Sequence, residues 1–237
     1  MRGAFPAART VQLIVLDFLK KTLLGDPELP GRRPAPAMRP GILPDGPMGR
    51  ASNGLRHFFD NLPQGRVLEV LDLGGINEAN IGFLSELGGK IHAVDLLECF
   101  DRSRRENPDT SIGLDGARRF IDEYLNFPRN QFDAILVWDA LEFLDSDVLH
   151  LTVPRLGEIL RPGGALLSFF HNESRGQTVQ VHRYRIEAVN SLKLEPRQLR
   201  TLPNTFNNRS LERLFGDFDS VKFFLTRDHL REVIVSR

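Results

Sequence analysis

The sequence predicts an α/β fold in which helices cover both faces of an open, mostly parallel sheet. Strand-like and helix-like runs alternate along residues 67–170, and this alternation is typical of parallel sheets with helical crossovers. The runs at residues 132–138 and 165–170 are apolar along most of their length, as expected of strands buried on both faces. Strands predicted at residues 221–225 and 232–235 are separated by a turn too short for a helical crossover, so we expect them to pair antiparallel.

We expect the chain to divide into an N-terminal extension, residues 1–64, and a main domain, residues 65–237. Residues 10–24 predict an amphipathic helix that packs on this domain or on a protein partner, with attachment to a membrane surface as the alternative. Asp17 interrupts its apolar run, and the run is too short to span a bilayer, so we predict neither a signal peptide nor a transmembrane segment. Residues 25–49 contain seven prolines, which indicate an extended linker or strap.

The remaining elements follow from hydrophobic spacing and from the residues that end helices. A short helix over residues 55–62 ends at Pro63 and leads into the main domain. The helix predicted at residues 146–160 contains Pro154, so we expect it to be kinked or to form two short pieces. The other predicted elements are strands at residues 67–73 and 90–95 and helices at residues 77–87, 115–125 and 210–215.

Composition narrows the classes of ligand. Lys and Arg together number 31 and so do Asp and Glu, which gives a formal net charge of zero. We therefore expect no nucleic-acid partner and favour a small molecule. Cys99 is the single cysteine, so no internal disulfide can form and a cytoplasmic location is the default. The histidines and the cysteine lack metal-ligand spacing, so no metal site is predicted.

The residues that directly follow the predicted strands are the candidates for a binding site, because ligands in open α/β sheets bind beyond the carboxyl ends of the strands. A glycine turn after the first strand allows close approach of a ligand. Asp95 lies about 20 residues further on, where an acid can accept hydrogen bonds from ribose hydroxyls. In chain order, the candidates are Asp72, Gly74, Gly75, Asp95, Leu96, Trp138, Asp139 and His171.

Structural alternatives exist for several of these residues. Asp72 could simply orient the turn, Trp138 could belong to the core, and Asp139 could cap the segment that follows it. A dinucleotide-binding turn would need G-x-G-x-x-G for its pyrophosphate, and the chain offers only Gly74, Gly75 and Gly82. A nicotinamide or flavin cofactor is therefore poorly supported.

Three segments carry a resemblance to a known family. VLDLGGINEANIGFLSELGGKIHAVDL, FPRNQFDAILVWDALEFL and LGEILRPGGALLSFF resemble, in order and spacing, successive motifs of the class I S-adenosylmethionine-dependent methyltransferases. The resemblance covers residues 66–170, and the antiparallel C-terminal pair also matches that family. It implies a Rossmann-like fold with the first strand in the centre of the sheet. It also implies S-adenosylmethionine as cofactor, with the methyl donor lying across the ends of the first two strands.

The resemblance implies a role for each candidate residue in turn. Asp72 and Gly74 fall on the donor loop, and Asp95 falls on the ribose-binding acid. Gly75, which could offer a shifted route for the loop backbone, and Leu96, which follows the second strand, are further cofactor-binding candidates. Asp122 and Glu123 fall near the acid that family members place by the adenine amino group. Trp138 and Asp139 fall on the turn that faces the methyl group and its acceptor. Asp139 and His171 are the candidate catalytic residues.

The sequence also departs from the family pattern. Ile76 and Glu78 stand where the donor loop usually has its second and third glycines, and we expect the branched Ile76 side chain to narrow the pocket. Phe143 occupies the position at which many small-molecule methyltransferases carry a histidine, so a general base from that position is missing. Methyl transfer needs a base only where the acceptor must lose a proton.

Two functions therefore remain open. The first is a methyltransferase that acts on a small-molecule acceptor, with residues 171–208 shaping the acceptor site. The basic residues of that segment would suit an acidic acceptor; they are Arg175, His182, Arg183, Arg185 and Arg197. The second is a catalytically inactive methyltransferase-like protein that serves as a partner-binding or regulatory subunit, with a protein partner bound through the N-terminal helix. Binding of S-adenosylmethionine would distinguish the two.

Overall fold

The computed structural model describes residues 46–106, 113–224, 226 and 230–237. Its main feature is a six-stranded sheet. The strands are β2 (Leu68–Asp72), β3 (Gly89–Ala93), β4 (Phe132–Trp138), β5 (Leu160–His171), β8 (Ser220–Phe224) and β9 (Leu230–Ser236). They lie in the order β3-β2-β4-β5-β9-β8. The first four strands in this order are mutually parallel, and β9 and β8 are antiparallel to their neighbours. The predicted mostly parallel α/β fold with an antiparallel C-terminal pair is thus confirmed.

Helices cover both faces of this sheet and form two separate cores. One core contains buried apolar residues of α3, α4, α5 and α6, and the other contains those of α1 and α2. The sheet strands contribute to both cores because successive side chains point to opposite faces. The helices are α1 (Asn53–Asp60), α2 (Glu78–Glu86), α3 (Leu96–Glu106), α4 (Gly113–Tyr124), α5 (Ser146–Ile159) and α6 (Asn208–Leu214), with a 3₁₀ helix at Ala140–Phe143.

A second, three-stranded sheet lies over the second core. Its strands are β1 (Met48–Ala51), β6 (Thr178–Ala188) and β7 (Ser191–Thr201), arranged antiparallel in the order β1-β7-β6. We refer to β6 and β7 together as the hairpin. Tyr184 and Ile186 of β6 are buried in the second core, so the hairpin is packed onto the main sheet and not merely appended to it.

The structure corrects three expectations about individual elements. Helix α3 was not predicted, because only its first two turns carry buried apolar residues. The hairpin was not predicted either. Helix α5 is one continuous helix with Pro154 inside it, so of the two expected forms, a kinked helix or two short pieces, the division into pieces is excluded. The predicted helix at residues 10–24 and residues 25–45 of the proline-rich segment lie outside the described residues. Within the described parts of the chain, no helix is long and apolar enough to cross a membrane.

Candidate functional site

A small cavity lies at the carboxyl ends of β2, β3 and β4 and encloses about 20 Å³. Two walls come from the main sheet and its following turns, and the hairpin forms a third. The sheet side contributes Leu73, Gly74, Asn77, Asn80, Asp95, Leu97, Val137, Trp138, Asp139 and Ala140, and the hairpin contributes His182, Arg183, Tyr184 and Arg197. The cavity therefore forms where the fold predicts a ligand site, but it is nearly filled by protein.

The glycine turn after β2 is held directly against Asp95. Gly74 and Asp95 form an isolated antiparallel bridge, and the Gly75 amide donates to the Val94 carbonyl at 3.2 Å. Gly75 has a φ of 87°, and a Cβ built there would lie 3.0 Å from an Asp95 carboxylate oxygen. Only glycine combines this backbone conformation with so close an approach. The turn thus brings its backbone to the acid at the end of β3.

The Asp95 carboxylate is occupied by an arginine from the hairpin. Arg197 contacts both carboxylate oxygens of Asp95, at 2.7 Å and 3.2 Å. The same carboxylate accepts a hydrogen bond from the Glu98 amide at 3.0 Å and so caps the start of α3. Burial lowers the pKa of the Arg197 guanidinium, but the contact with Asp95 outweighs it and raises the pKa overall. The Asp95 carboxylate beside the glycine turn is therefore paired with a cation of the protein itself.

Asp72 is buried and fully engaged with its own surroundings. Its carboxylate accepts hydrogen bonds from the Trp138 indole at 2.7 Å, the Gly74 amide at 2.9 Å and the Asn80 amide at 3.0 Å. Burial raises the pKa of this carboxyl despite these three donors. These bonds tie the ends of β2 and β4 to α2. In this conformation Asp72 orients the turn, which is the structural alternative considered for it.

Trp138 and Tyr184 fill the part of the cavity beyond β4. The register of β4 shifts between Leu136 and Trp138, and Trp138 has a φ of 58°. Such a φ is unusual for a bulky residue and indicates strain that its surroundings maintain. The indole stacks on the Tyr184 ring, with centroids 5.0 Å apart and planes 3° apart. A Cβ at Gly74 would lie 2.7 Å from the indole, so the ring rests directly on the turn.

Behind this aromatic pair lies a group of buried titratable side chains. The Tyr184 hydroxyl donates to Asp139 at 3.0 Å, and burial raises the pKa of the Asp139 carboxyl. The Nδ1 atom of His171 contacts the Glu142 carboxylate, which also accepts from the His171 amide at 3.0 Å. Burial lowers the pKa of the His171 imidazole, but the bond to Glu142 and the negative charge of Glu142 and Asp139 raise it overall. The His171 ring lies 6.2 Å from that of Phe143, near the position where the family's histidine is missing.

The structure brings some of the predicted site residues together and separates others. Gly74, Asp95, Trp138 and Asp139 line the cavity. Leu96 is buried in the core, and its neighbour Leu97 lines the cavity instead. Asp122 and Glu123 are exposed on α4 and are not among the lining residues. His171 is buried behind the lining.

The sequence predicted that the Ile76 side chain narrows the pocket, and the structure contradicts this. Ile76 is 64% exposed and does not line the cavity, so the expectation that it narrows the pocket is wrong. The residues that close the cavity are Trp138, Tyr184 and Arg197. The sequence did not predict that Tyr184 is buried. Val179 and Val181 are buried in the core that contains α3 to α6, whereas Tyr184 and Ile186 are buried in the second core, so the apolar alternation changes phase along β6.

No protein-family model and no curated protein matches this sequence. Among solved structures, the chain resembles the 1,6-didemethyltoxoflavin-N1-methyltransferase of Burkholderia thailandensis, with bound S-adenosylhomocysteine, at 18% identity over 78% of this chain and 77% of that one, with a TM-score of 0.41. It also resembles an S-adenosylmethionine-dependent methyltransferase from Mesorhizobium loti, at 16% identity over 76% of this chain and 96% of that one, with a TM-score of 0.45. The CcbJ methyltransferase from Streptomyces caelestis is similar at 14% identity over 77% of this chain and 93% of that one, also with a TM-score of 0.45. We therefore interpret the site from its own geometry.

The main sheet places β2 between β3 and β4 and ends in the antiparallel strands β9 and β8. The chain has the Rossmann-like fold of class I methyltransferases. The glycine turn meets Asp95 at one edge of the cavity. The cavity lacks the space for a methyl donor, because pockets for small ligands usually enclose about 300–1,000 Å³ and this cavity encloses about 20 Å³. An S-adenosyl group fits these residues only after Arg197 and the aromatic pair have moved.

Proposed function

We propose that this protein is an S-adenosylmethionine-dependent methyltransferase that acts on a small-molecule acceptor. The observation that carries the proposal is the meeting of the Gly74–Gly75 turn and the Asp95 carboxylate at one end of the cavity. When bound, the cofactor supplies a methyl group already activated by the sulfonium. The protein then has to align the acceptor with that methyl group.

Each of the chain's own residues has a defined part in this proposal. Asp95 accepts hydrogen bonds from the ribose hydroxyls, and the glycine turn offers backbone close to the donor. Asp139 lines the cavity and has a carboxyl pKa raised by burial, which brings a carboxylate nearer to the range of an effective general base. His171 lies behind Asp139, and its charge acts against the effect of burial on the Asp139 pKa. We therefore assign Asp139 as the base and His171 as its positioning residue.

Opening the cavity has a cost that should weaken donor binding. A tyrosine side chain buries roughly 150–250 Å², so moving the Tyr184 ring wholly into water would cost roughly 4–6 kcal/mol. Micromolar binding corresponds to about 8 kcal/mol. A donor that had to expel this ring would lose half or more of that free energy. We expect S-adenosylhomocysteine to bind the wild-type protein more weakly than micromolar.

Calorimetric titration with S-adenosylmethionine and S-adenosylhomocysteine tests the proposal. Asp95→Ala should abolish the binding seen with the wild-type protein. Asp101→Ala is the matched control, because Asp101 pairs with Arg200 of the same hairpin but does not line the cavity. Binding that survives Asp95→Ala would contradict the assigned role of Asp95. A thermal melt of each variant checks that it is folded.

A second candidate function is favoured by the stacking of Trp138 on Tyr184. If that pair never opens, the protein is a non-catalytic relative of methyltransferases that acts through a partner. Tyr184→Ala distinguishes the two, because it removes the ring that fills the cavity. We expect this variant to bind S-adenosylhomocysteine at least tenfold more tightly than wild type. Failure of both the wild-type protein and Tyr184→Ala to bind would favour the non-catalytic function.

A further inference from the structure

We propose that Arg197 and Arg183 bind an anionic group, a carboxylate or a phosphate, on the methyl acceptor. This inference rests on the proposed function and deepens it, because it names the chemical class of the acceptor. Arg197, which pairs with Asp95 in the structure, is then a specificity-determining residue. The two guanidinium groups come from opposite strands of the hairpin, and both residues line the cavity.

The backbone aims Arg197 into the site by a specific device. In the pairing of β6 with β7, Val181 is opposite Gln198 and His182 is opposite Pro196. Arg197 is therefore the extra residue of a β-bulge, and bulges redirect the side chain that they carry. Pro196 has no N–H to donate to a ladder, which suits a position beside an irregularity. The direction of Arg197 towards the cavity is thus built into the strand.

Ribose hydroxyls at Asp95 would displace Arg197 from its present partner. Besides Asp95, the acids whose charges act on the Arg197 guanidinium are Glu98 and Asp101. Both are engaged with other arginines, since Glu98 pairs with Arg105 at 2.9 Å and Asp101 pairs with Arg200. A cation left without a partner at the edge of a cavity favours an anion from outside.

Arg183 supplies the second positive charge. It is exposed, lines the same cavity, and forms no ion pair with any residue that the structure describes. The other basic residues of the segment do not fit this role. Arg185 pairs with Glu195 at 3.0 Å, and Arg175 lies in a different groove, beside α5 and α6. Of the basic residues noted in the sequence, the cavity is thus lined by these two arginines and by His182.

The arrangement predicts coupling between donor and anion. The donor frees Arg197, and the anion keeps it free, so each should strengthen binding of the other by the same factor. We expect inorganic phosphate, used as the probe, to tighten S-adenosylhomocysteine about fivefold or more, a factor within the usual range for coupled sites. Acetate in a parallel series tests a carboxylate.

The experiment measures the affinity of S-adenosylhomocysteine by calorimetry with and without 20 mM phosphate (roughly the concentration that a weak anion site requires), at ionic strength balanced with chloride. Arg197→Gln should bind S-adenosylhomocysteine more tightly than wild type without phosphate and should lose the phosphate effect. Arg183→Gln should weaken the effect. Arg200→Gln, which breaks a neighbouring pair outside the cavity, should retain it.

Three outcomes overturn the inference, and they can be told apart. Binding of S-adenosylhomocysteine that phosphate and acetate leave unchanged overturns it alone. Phosphate that tightens methylthioadenosine, which lacks the amino-acid carboxylate, but not S-adenosylhomocysteine would mean that Arg197 binds the donor's own carboxylate. No binding by wild type, Arg197→Gln or Tyr184→Ala overturns the proposed function and this inference with it.

Discussion

The indole nitrogen of Trp138 donates a hydrogen bond to the Asp72 carboxylate at 2.7 Å, which joins the ends of two neighbouring parallel strands. Asp72, the acid at the start of the glycine turn, therefore receives a hydrogen bond from Trp138, one of the residues that close the cavity. The same indole stacks on Tyr184, whose hydroxyl bonds to Asp139. Asp72, Trp138, Tyr184 and Asp139 form one connected buried chain of contacts.

Trp138→Phe should destabilise the protein by about 1–3 kcal/mol, because it removes one donor from the buried Asp72 carboxylate. Chemical denaturation measures the change in the free energy of unfolding. The control is the same substitution in an Asp72→Asn background, where the cost should fall since no buried carboxylate loses a donor. Equal costs in the two backgrounds would show that the hydrogen bond contributes nothing.

Gly75→Ala should lower the free energy of unfolding by about 1–2 kcal/mol, since alanine disfavours a positive φ. Its Cβ would also lie 3.0 Å from an Asp95 carboxylate oxygen. Gly82→Ala is the matched control: Gly82 lies inside α2 with open space around its Cβ position. There, alanine should stabilise by up to about 1 kcal/mol. A Gly75→Ala protein as stable as wild type would be inconsistent with the described turn.

The free energy of unfolding should fall as the pH rises above 6.5. The pKa of His171 is raised above its unfolded value of 6.5, so its stabilisation is fully present below that pH. It is lost as the pH rises through the folded pKa. Urea denaturation between about pH 6 and pH 9 should show the decline, and His171→Phe should reduce its slope. His150→Gln, an exposed change on α5, should leave the slope as in wild type. An unchanged slope in His171→Phe would refute the assignment.

Arg50→Met should cost about 3–5 kcal/mol, because it leaves the buried Glu232 carboxylate without its cation. Both side chains are buried, and their ion pair joins β1 to β9. The double variant Arg50→Met with Glu232→Met should recover much of that loss, since no buried charge remains. Arg118→Met, which breaks an exposed pair with Asp115, should change stability little. A double variant no better than Arg50→Met would argue against this reasoning.

The parallel sheet and the position of Asp95 after the second of its strands could be predicted because their signals are local. Apolar runs mark β4 and β5, and an acid directly follows a strand at Asp95. The closure of the cavity could not be predicted, because it depends on contacts across more than 40 positions in sequence, such as Tyr184 with Asp139. The spacing of residues along the sequence does not predict which side chain will fill a cleft.

The hairpin was missed for a different physical reason. Strands are recognised by an alternation with a period of two, but β6 changes the core that it faces part-way along. Val181 and Tyr184 are both buried although they stand three positions apart, because they belong to different cores. On β7, the bulge that carries Arg197 interrupts the alternation as well.

Trp138 is the only tryptophan of the chain, so the residue that closes the cleft is also its sole indole fluorophore. Indole emission therefore comes from the site alone. An indole that leaves the Tyr184 ring for water emits at longer wavelength. Opening of the cleft can thus be followed optically, in real time and without a label.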